Sequence, residues 1–201
     1  MPRNRALLYV LEKHYPEWRD MTIHESSPSP VGASATLKRK CANYIASQYF
    51  SSQTLGEIID GYRNENLASQ TFSDASFDLV ITQDVLEHVY EPAKVFQEIA
   101  RTLKPGGAHV FNLPLVNKHR ATQVWALPAP DGEPRFIYEP EYHGNPIDHR
   151  GSPVTMHWGF DIVKHIRDAC DLETTIEYID ELAMGIRAEC IEVLVTRKPL
   201  A

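Results

Sequence analysis

The stretch that decides the fold is FDLVITQDVLEHVYEPAKVFQEIARTLKPGGAHVFNLPL, residues 77–115. It opens with Phe77–Thr82, an almost continuously apolar run that is typical of a strand buried on both faces of a parallel sheet. After Pro92, apolar residues recur at helical spacing, which predicts an amphipathic helix that ends at the turn Pro105–Gly107. The next run, His109–Leu115, predicts a second strand. This order indicates a parallel strand-helix-strand unit.

Helices and strands alternate on both sides of this unit. Before it, apolar spacing predicts helices over 4–14 and 33–41, and strands over 21–25 and 44–48. After it, the pattern predicts a helix over 159–170 and an antiparallel hairpin of strands 174–179 and 188–196. Residues 51–71 are polar and weakly periodic, so no strand is predicted there. The fold class is therefore α/β, a three-layer sandwich around a mostly parallel sheet with right-handed crossovers.

The segment 116–158 breaks this rhythm with six prolines, four histidines and three glycines. A loop of this length inside a compact domain is usually a lid or a binding segment, although it also occurs as plain covering of a sheet. We interpret it as a lid inserted into a single domain that spans residues 1–201.

The amino-acid composition limits the classes of molecule with which the protein is expected to interact. The chain carries 20 basic and 27 acidic residues, which disfavours nonspecific attraction to nucleic acid and favours a small-molecule substrate. Apolar runs are far shorter than the ~20 residues of a membrane span, and the N-terminal apolar segment carries charges, so no membrane anchor or signal peptide is expected. Three widely spaced cysteines make neither a disulfide framework nor a zinc pattern. We expect a cytoplasmic monomer or homodimer.

Residues 64–115 resemble the class I S-adenosylmethionine-dependent methyltransferases, in particular the small-molecule methyltransferases. The resemblance is carried by the loop that leads into FDLVIT, by the DVLEHV that follows this strand, and by the LKPGG before the next strand. It implies a Rossmann-like, seven-stranded sheet whose last strand is antiparallel. It also implies that S-adenosylmethionine binds across the carboxyl ends of the first strands and that a methyl group is transferred to the oxygen or nitrogen of a small molecule.

The resemblance assigns several residues to the methyl donor. Glu25, near the end of the first strand, matches the acidic residue close to the methionine end of the cofactor. Asn66 and Leu67 match the segment beside adenine. Gln83 and Asp84 match the end of the fourth strand, which lines the cleft near the methyl group.

Two positions depart from the family pattern. The first loop usually reads E/D-x-G-x-G-x-G, whereas here SSPSPVG follows the acidic residue, so Ser26, Ser27 and Gly32 are the expected donor contacts. Proline removes N–H donors, and serine hydroxyls would replace them. The second strand usually ends in an acidic residue for the ribose hydroxyls. Here Ser47 or Gln48 stands at this place, and the amide of Gln48 would bond a diol without charge assistance.

Methyl transfer is an in-line displacement at a sulfonium carbon, so the protein mainly aligns donor and acceptor, excludes water and takes one proton. EYHGNPIDHRG, residues 141–151, lies where the family usually builds its acceptor pocket. We expect Tyr142, His143 and Asn145 to close over the acceptor, with His143 as the base and Asp84 at the reaction centre. The alternative is a tight turn whose histidines face solvent.

Asp84, Glu87 and His88 are spaced so that a helical turn places them on one side. Some quinone-ring O-methyltransferases hold a metal on a similar Glu-x-x-Glu-His segment, but many members of the family use Leu-Glu-His structurally, so no metal is expected. Two other functions stay open. One is a methyltransferase-fold binding module that has lost productive donor binding. The other is a nicotinamide-dependent oxidoreductase, which the missing G-x-G-x-x-G disfavours.

Overall fold

The computed structural model describes residues 1–130, 132–145 and 149–200. The helices are α1 (Pro2–His14), α2 (Gly32–Lys40), α3 (Pro92–Thr102) and α4 (Ile162–Cys170). The strands are β1 (Thr22–Ser26), β2 (Asn43–Gln48), β3 (Ile58–Ile59), β4 (Tyr62–Asn64), β5 (Phe77–Gln83), β6 (Leu103–Asn112), β7 (Gln123–Val124), β8 (Ala126–Leu127), β9 (Arg135–Phe136), β10 (Tyr142–His143), β11 (Ser152–Pro153), β12 (Met156–His157), β13 (Glu173–Glu177) and β14 (Val193–Arg197). None of the described helices is both long and apolar enough to cross a membrane.

The central sheet has the order β13-β14-β6-β5-β1-β2-β4-β3. Its middle strands pair in parallel, and β14 is antiparallel to both β6 and β13. The Rossmann-like, mostly parallel sheet with an antiparallel last strand is thereby confirmed. Two strands lie in the polar segment where no strand was predicted: β4, which completes the seven that the resemblance implies, and β3, a two-residue edge strand that pairs antiparallel with β4.

Helices cover both faces of the sheet because β5 is apolar on both sides. Leu79 and Ile81 pack in one buried cluster with the apolar side chains of α1 and α2. Val80 packs in a second cluster with those of α3 and α4. A strand of this kind can only lie in the interior of a three-layer sandwich, so the continuous apolar run fixes β5 at the centre of the sheet.

The Pro-Gly-Gly segment is the main local difference from the predicted elements. Instead of forming a separate turn before a strand at His109, it lies within β6, which begins at Leu103. The register between β5 and β6 shifts here, and a Cβ on Gly107 would lie 2.8 Å from the carbonyl oxygen of Asp78. Glycine is therefore required where the two backbones approach closely. β6 ends at Asn112, three residues before the predicted end.

The insertion, residues 116–158, contains three two-stranded ribbons: β7 with β12, β8 with β9, and β10 with β11. It is bonded to the segment that follows β5. The amide of Thr155 donates to the carbonyl oxygen of Glu87 at 2.7 Å, and its hydroxyl donates to that of Val89 at 2.7 Å. The buried indole of Trp158 donates to the carbonyl oxygen of Leu86 at 3.0 Å. These bonds fix the insertion beside the carboxyl end of the sheet.

Candidate functional site

A cleft lies at the carboxyl ends of β1, β2, β4 and β5, the position at which open parallel sheets bind ligands. It consists of three adjoining cavities of about 470, 580 and 780 Å³, named here the Asn66, Gln83 and Tyr142 cavities after one residue in each wall. Gln48 and two residues of the insertion, Asn145 and Ser152, line all three. The insertion therefore forms one wall of the whole cleft.

The Asn66 cavity contains most of the residues predicted to contact adenine and ribose. These are Asn66 and Leu67 for adenine and Gln48 for ribose, and the wall also includes Ser26 and Ser27, which were predicted for the methionine end of the donor. Leu67 is buried and supplies an apolar surface, while Asn66 Oδ1 accepts a hydrogen bond from the amide of the residue two positions later at 2.9 Å. An apolar wall with a few fixed polar groups suits a nucleoside.

The Gln83 cavity is bounded by the loop between β1 and α2 and by the end of β5. Ser27 has a left-handed backbone, with φ 53°, and its amide donates to the carbonyl oxygen of Ser47 at 2.8 Å. Within this loop the hydroxyl of Ser34 accepts from the amide of Ser29 at 3.2 Å. The Ser29 hydroxyl in turn accepts from the amide of Val31 at 3.3 Å. Serine side chains thus hold the loop in shape where the family uses glycine.

Glu25 lies near the end of β1, as the sequence predicts. It is fully buried, and each carboxylate oxygen is already bound within the protein. Oε1 accepts from Ser34 Oγ at 2.7 Å and from Gln83 Nε2 at 2.9 Å, and Oε2 accepts from the Tyr44 hydroxyl at 2.7 Å. Burial raises the pKa of the Glu25 carboxyl. Through these bonds Glu25 anchors Gln83 and α2 from behind the cleft.

Gly32 is also a structural residue. It begins α2 with φ +71°, and an added Cβ would lie 1.6 Å from Asn4 Oδ1. The same oxygen accepts from the amide of Ala33 at 3.2 Å. The side of Gly32 on which a side chain would stand is therefore filled by α1, so this position requires glycine.

Gln83 and Asp84 end β5 at the cleft, as expected, and both line the Gln83 cavity. Asp84 has a left-handed backbone, with φ 53°, and its amide donates to the carbonyl oxygen of Asn112 at 3.0 Å. Its half-exposed carboxylate forms an ion pair with Arg3 Nη2 at 2.5 Å. The N-terminal helix therefore supplies the partner of Asp84.

Three titratable side chains converge beside the cleft: Glu87, His88 and His143. One ligand atom from each lies within 4.8 Å of the others. Glu87 Oε1 is 3.9 Å from His88 Nε2 and 3.8 Å from His143 Nδ1, and the two imidazole rings meet edge to face with centroids 5.0 Å apart. We call these three residues the Glu87 cluster. His88 also lines the Asn66 and Gln83 cavities, so the cluster borders the cleft.

The environment of Glu87 is electrostatically unfavourable for a free carboxylate. Its side chain is 2% exposed, and neither oxygen has a hydrogen-bond partner among the described residues. Burial and the nearby negative charge of Asp84 raise the pKa of the Glu87 carboxyl to about 8. Burial also lowers the pKa of His88. The cluster thus combines a carboxyl that resists ionisation with an imidazole that resists protonation.

Tyr142 and His143 are neighbours on β10, but their side chains lie in different surroundings. Tyr142 is 46% exposed and lines the Tyr142 cavity together with Asn145. His143 Nε2 lies 3.3 Å from Glu141 Oε1, and the other Glu141 oxygen lies 2.8 Å from His157 Nε2. The expected closure of Tyr142, His143 and Asn145 over one acceptor is thus divided between a cavity wall and the Glu87 cluster. Pro146, Ile147 and Asp148 of the same stretch lie outside the described residues.

Sequence reasoning missed Glu141 and Ser152. Glu141 connects His143 to His157, and Ser152 accepts a hydrogen bond from Asn145 Nδ2 at 2.9 Å. A signal for Glu141 exists in the sequence, because residues two apart in an extended segment point to the same face, as Glu141 and His143 do. Because no strand is predicted in the insertion, this alternation could not be recognised as a signal.

Comparison with known proteins agrees with this geometry. Residues 35–111 match the family model described as "Methyltransferase domain". Over 88 residues the chain is 38% identical to the "Probable S-adenosylmethionine-dependent methyltransferase" of Mycolicibacterium smegmatis, a match that covers 41% of this chain and 34% of that protein. Over 43 residues it is 51% identical to the dimethylglycine N-methyltransferase of Parasynechococcus marenigrum, which covers 21% of this chain and 15% of that protein. The matches therefore span about a third of the first relative and about a seventh of the second.

The fold also resembles that of a solved methyltransferase structure. An S-adenosylmethionine-dependent methyltransferase from Mesorhizobium loti superposes with a TM-score of 0.61 at 15% identity, over 96% of this chain and 98% of that chain. The matched domain and this fold both support the resemblance to the class I S-adenosylmethionine-dependent methyltransferases. S-adenosylmethionine is the cofactor of this class, in agreement with the resemblance seen in the sequence.

Proposed function

We propose that this protein transfers the methyl group of S-adenosylmethionine to the oxygen or nitrogen of a small-molecule acceptor. One observation carries the proposal: residues matched to the adenine, ribose and methyl-bearing ends of the donor line connected cavities in the expected order. Asn66 lies in the first cavity, Gln48 borders all three cavities, and Gln83 lies in the second. This order follows the carboxyl ends of β4, β2 and β5 across the sheet.

In this arrangement the adenine packs on Leu67 beside Asn66, and the ribose hydroxyls bond the Gln48 amide. The methionine end lies in the Gln83 cavity between Ser27 and Asp84. The acceptor enters through the Tyr142 cavity, whose wall holds aromatic side chains, Tyr49, Tyr90 and Tyr142. Aromatic side chains together with placed polar groups bind and orient small organic molecules.

The transfer itself needs alignment and removal of a proton. The acceptor lone pair forms the new bond to the methyl carbon while the carbon–sulfur electron pair returns to sulfur, which leaves S-adenosylhomocysteine. If the nucleophile carries a proton, this proton must leave. The Glu87 cluster borders the cleft through His88, and His143, expected from the sequence to act alone as the base, belongs to this cluster.

The test is calorimetric titration of the protein with S-adenosylmethionine and S-adenosylhomocysteine. We expect saturable heat with both. Gln48→Ala should weaken binding about tenfold, the value of one lost hydrogen bond of ~1.4 kcal/mol. Gln97→Ala, which changes an exposed glutamine of α3, is the matched control and should bind as the parent does. No heat with either ligand would overturn the proposal, and heat with NADH alone would assign the fold to a nicotinamide enzyme.

Binding without turnover is the outcome that separates the enzyme from a donor-binding module. A panel of amine and hydroxyl acceptors, followed by detection of S-adenosylhomocysteine, distinguishes the two. The similarity to a dimethylglycine N-methyltransferase makes small amino acids with methylated nitrogens the first acceptors to try.

A further inference from the structure

We propose that Glu87, His88 and His143 bind a divalent first-row transition-metal cation beside the donor cavities. The three ligand atoms lie within 4.8 Å of one another and come from two distant parts of the chain, the turn after β5 and the strand β10. This ligand set differs from the one that the sequence suggested. His143 takes the place of Asp84, whose carboxylate pairs with Arg3.

The first argument is the unpartnered carboxylate. Glu87 is almost fully buried, and both of its oxygens lack a hydrogen-bond partner among the described residues. Burying a carboxyl group without a partner is costly, and native proteins seldom leave one so. A cation between Glu87 and the two imidazoles removes this cost, because it supplies the missing partner at the 3.8 and 3.9 Å gaps.

The second argument is the orientation of the two imidazoles. His88 Nδ1 lies 2.8 Å from the carbonyl oxygen of Pro153, which can only accept, so Nδ1 carries the proton and Nε2 presents its lone pair to Glu87. His143 places Nε2 against the Glu141 carboxylate at 3.3 Å and turns Nδ1 to Glu87. Histidines that bind metals almost always donate their second N–H to a carbonyl or a carboxylate. Both histidines of the cluster have such a partner.

The orientation of His143 is also supported by contacts beyond Glu141. Glu141 is held by His157 Nε2 at 2.8 Å, and the His157 ring stacks on Trp125 with centroids 3.7 Å apart. Because this chain of contacts lies within the insertion, it fixes the orientation of His143 independently of Glu87. An orienting group of this kind is expected for a histidine that binds a metal.

The ligand chemistry selects the cation. Two imidazole nitrogens and one carboxylate favour Zn²⁺, Fe²⁺ or Mn²⁺ over Mg²⁺ and Ca²⁺, which prefer oxygen ligands. Metal–ligand bonds of ~2.0–2.2 Å require the ligand atoms of the three side chains to approach one another by roughly half an ångström or more. With three protein ligands the cation retains open positions, and His88 places it at the border of the Asn66 and Gln83 cavities.

The catalytic role of this cation rests on the proposed function. A hydroxyl acceptor bound at an open position would lose its proton to solvent more readily, because the positive charge stabilises the alkoxide. The oxygen lone pair would then form the bond to the methyl carbon as the carbon–sulfur bond breaks. In this arrangement His143 is a ligand and not a free base.

The test is titration of the chelator-treated full chain with Zn²⁺ in competition with a chromophoric chelator. We expect one tight site per chain, no displacement by excess Mg²⁺, and weakening by at least about tenfold in Glu87→Gln and in His143→Ala. Glu141→Gln should weaken Zn²⁺ binding by about 10- to 100-fold without removing a ligand. His149→Ala, which removes an exposed histidine of the same insertion, should leave binding unchanged.

Unchanged Zn²⁺ affinity in His143→Ala would overturn the site, as would the absence of tight binding by the parent protein. Circular dichroism of each variant separates loss of the site from loss of the fold, and the half-buried His143 is less prone to unfold the protein on substitution than the buried Glu87. Calorimetry with S-adenosylhomocysteine on the same chelator-treated protein keeps the two proposals apart. Donor binding without Zn²⁺ binding removes only the metal site, whereas Zn²⁺ binding without donor binding removes only the proposed function.

Discussion

Thr155 and Glu87 are joined by two hydrogen bonds: the amide and the hydroxyl of Thr155 donate to the carbonyl oxygen of Glu87 at 2.7 and 3.1 Å. The hydroxyl also reaches the carbonyl oxygen of Val89 at 2.7 Å. These bonds connect the insertion to the turn after β5, 68 residues earlier in the chain. This connection helps to hold β10 beside that turn, where the Glu87 cluster forms.

Thr155→Val should therefore destabilise the protein. Valine keeps the shape of the buried threonine but leaves carbonyl oxygens of Glu87 and Val89 with fewer partners, at a cost of about 1–3 kcal/mol. Urea unfolding measures the free energy of unfolding. Thr54→Val, at an exposed position, is the matched control and should change it by less than about 0.5 kcal/mol. Equal effects of the two substitutions would mean that the hydroxyl does not anchor the insertion.

The Glu25 carboxylate should tolerate even an isosteric change poorly. All three of its partners, the Ser34 hydroxyl, the Tyr44 hydroxyl and the Gln83 amide, donate to it. Glu25→Gln places an NH₂ donor against one or more of these donors and should lower the free energy of unfolding by about 1–3 kcal/mol. Differential scanning calorimetry checks this, with exposed Glu17→Gln as the control. A melting temperature equal to that of the control would show that the network can rearrange without loss.

Comparison of Gly32 with Gly61 separates the energetic cost of a steric clash from that of a left-handed backbone. Gly32 and Gly61 have similar φ values, +71° and +81°, but an added Cβ meets Asn4 at 1.6 Å in the first case and nothing within 4 Å in the second. Gly61→Ala should cost about 1–2 kcal/mol, the penalty of a left-handed backbone for alanine. Gly32→Ala should cost more.

The double substitution Gly32→Ala with Asn4→Gly completes this comparison. It relieves the contact with the Asn4 side chain and should show a favourable coupling energy relative to the two single changes in a denaturant series. Simple additivity of the two single changes would contradict the steric explanation.

Local patterns were sufficient to predict six of the eight strands of the central sheet. The apolar run of β5 and the helical spacing of α3 depend on neighbours in sequence, and β5 ends at Gln83, directly before Asp84, where the donor site was expected. The end of β2 at Gln48 follows from the same reasoning.

Contacts over long distances in the chain were not predictable in this way. Glu25 looks like a ligand residue in the sequence because its position at the end of β1 is local information. Its actual partners, Tyr44 and Gln83, lie 19 and 58 residues away. Likewise, the approach of His143 to Glu87 depends on the path of an insertion that has no periodic pattern. The long-range contacts that position these side chains leave no spacing in the sequence.

Two buried histidines, His24 and His109, should make the protein sensitive to mild acid. His24 Nε2 lies 2.8 Å from Ser47 Oγ, and His109 Nε2 lies 2.9 Å from Thr82 Oγ1. Burial lowers the pKa of each imidazole from the ordinary value of 6.5 to about 3. The positive charge of Arg63 lowers the pKa of His24 further, and the proximity of His24 does the same for His109.

The sign of the pH dependence follows from these pKa values. Between pH 6.5 and 3 the two imidazoles bind protons in the unfolded chain but not in the folded protein. Their contribution to the free energy of unfolding is therefore complete above pH 6.5 and decreases as the pH is lowered. Each histidine contributes a slope of up to about 1.4 kcal/mol per pH unit. His109→Gln should reduce the slope measured by urea unfolding between about pH 6 and 5 by this amount, whereas His149→Gln, at an exposed position, should not. If the parent protein and His109→Gln lose stability in parallel over this range, His109 takes up its proton in the folded state and the buried site is more open to water than its contacts indicate.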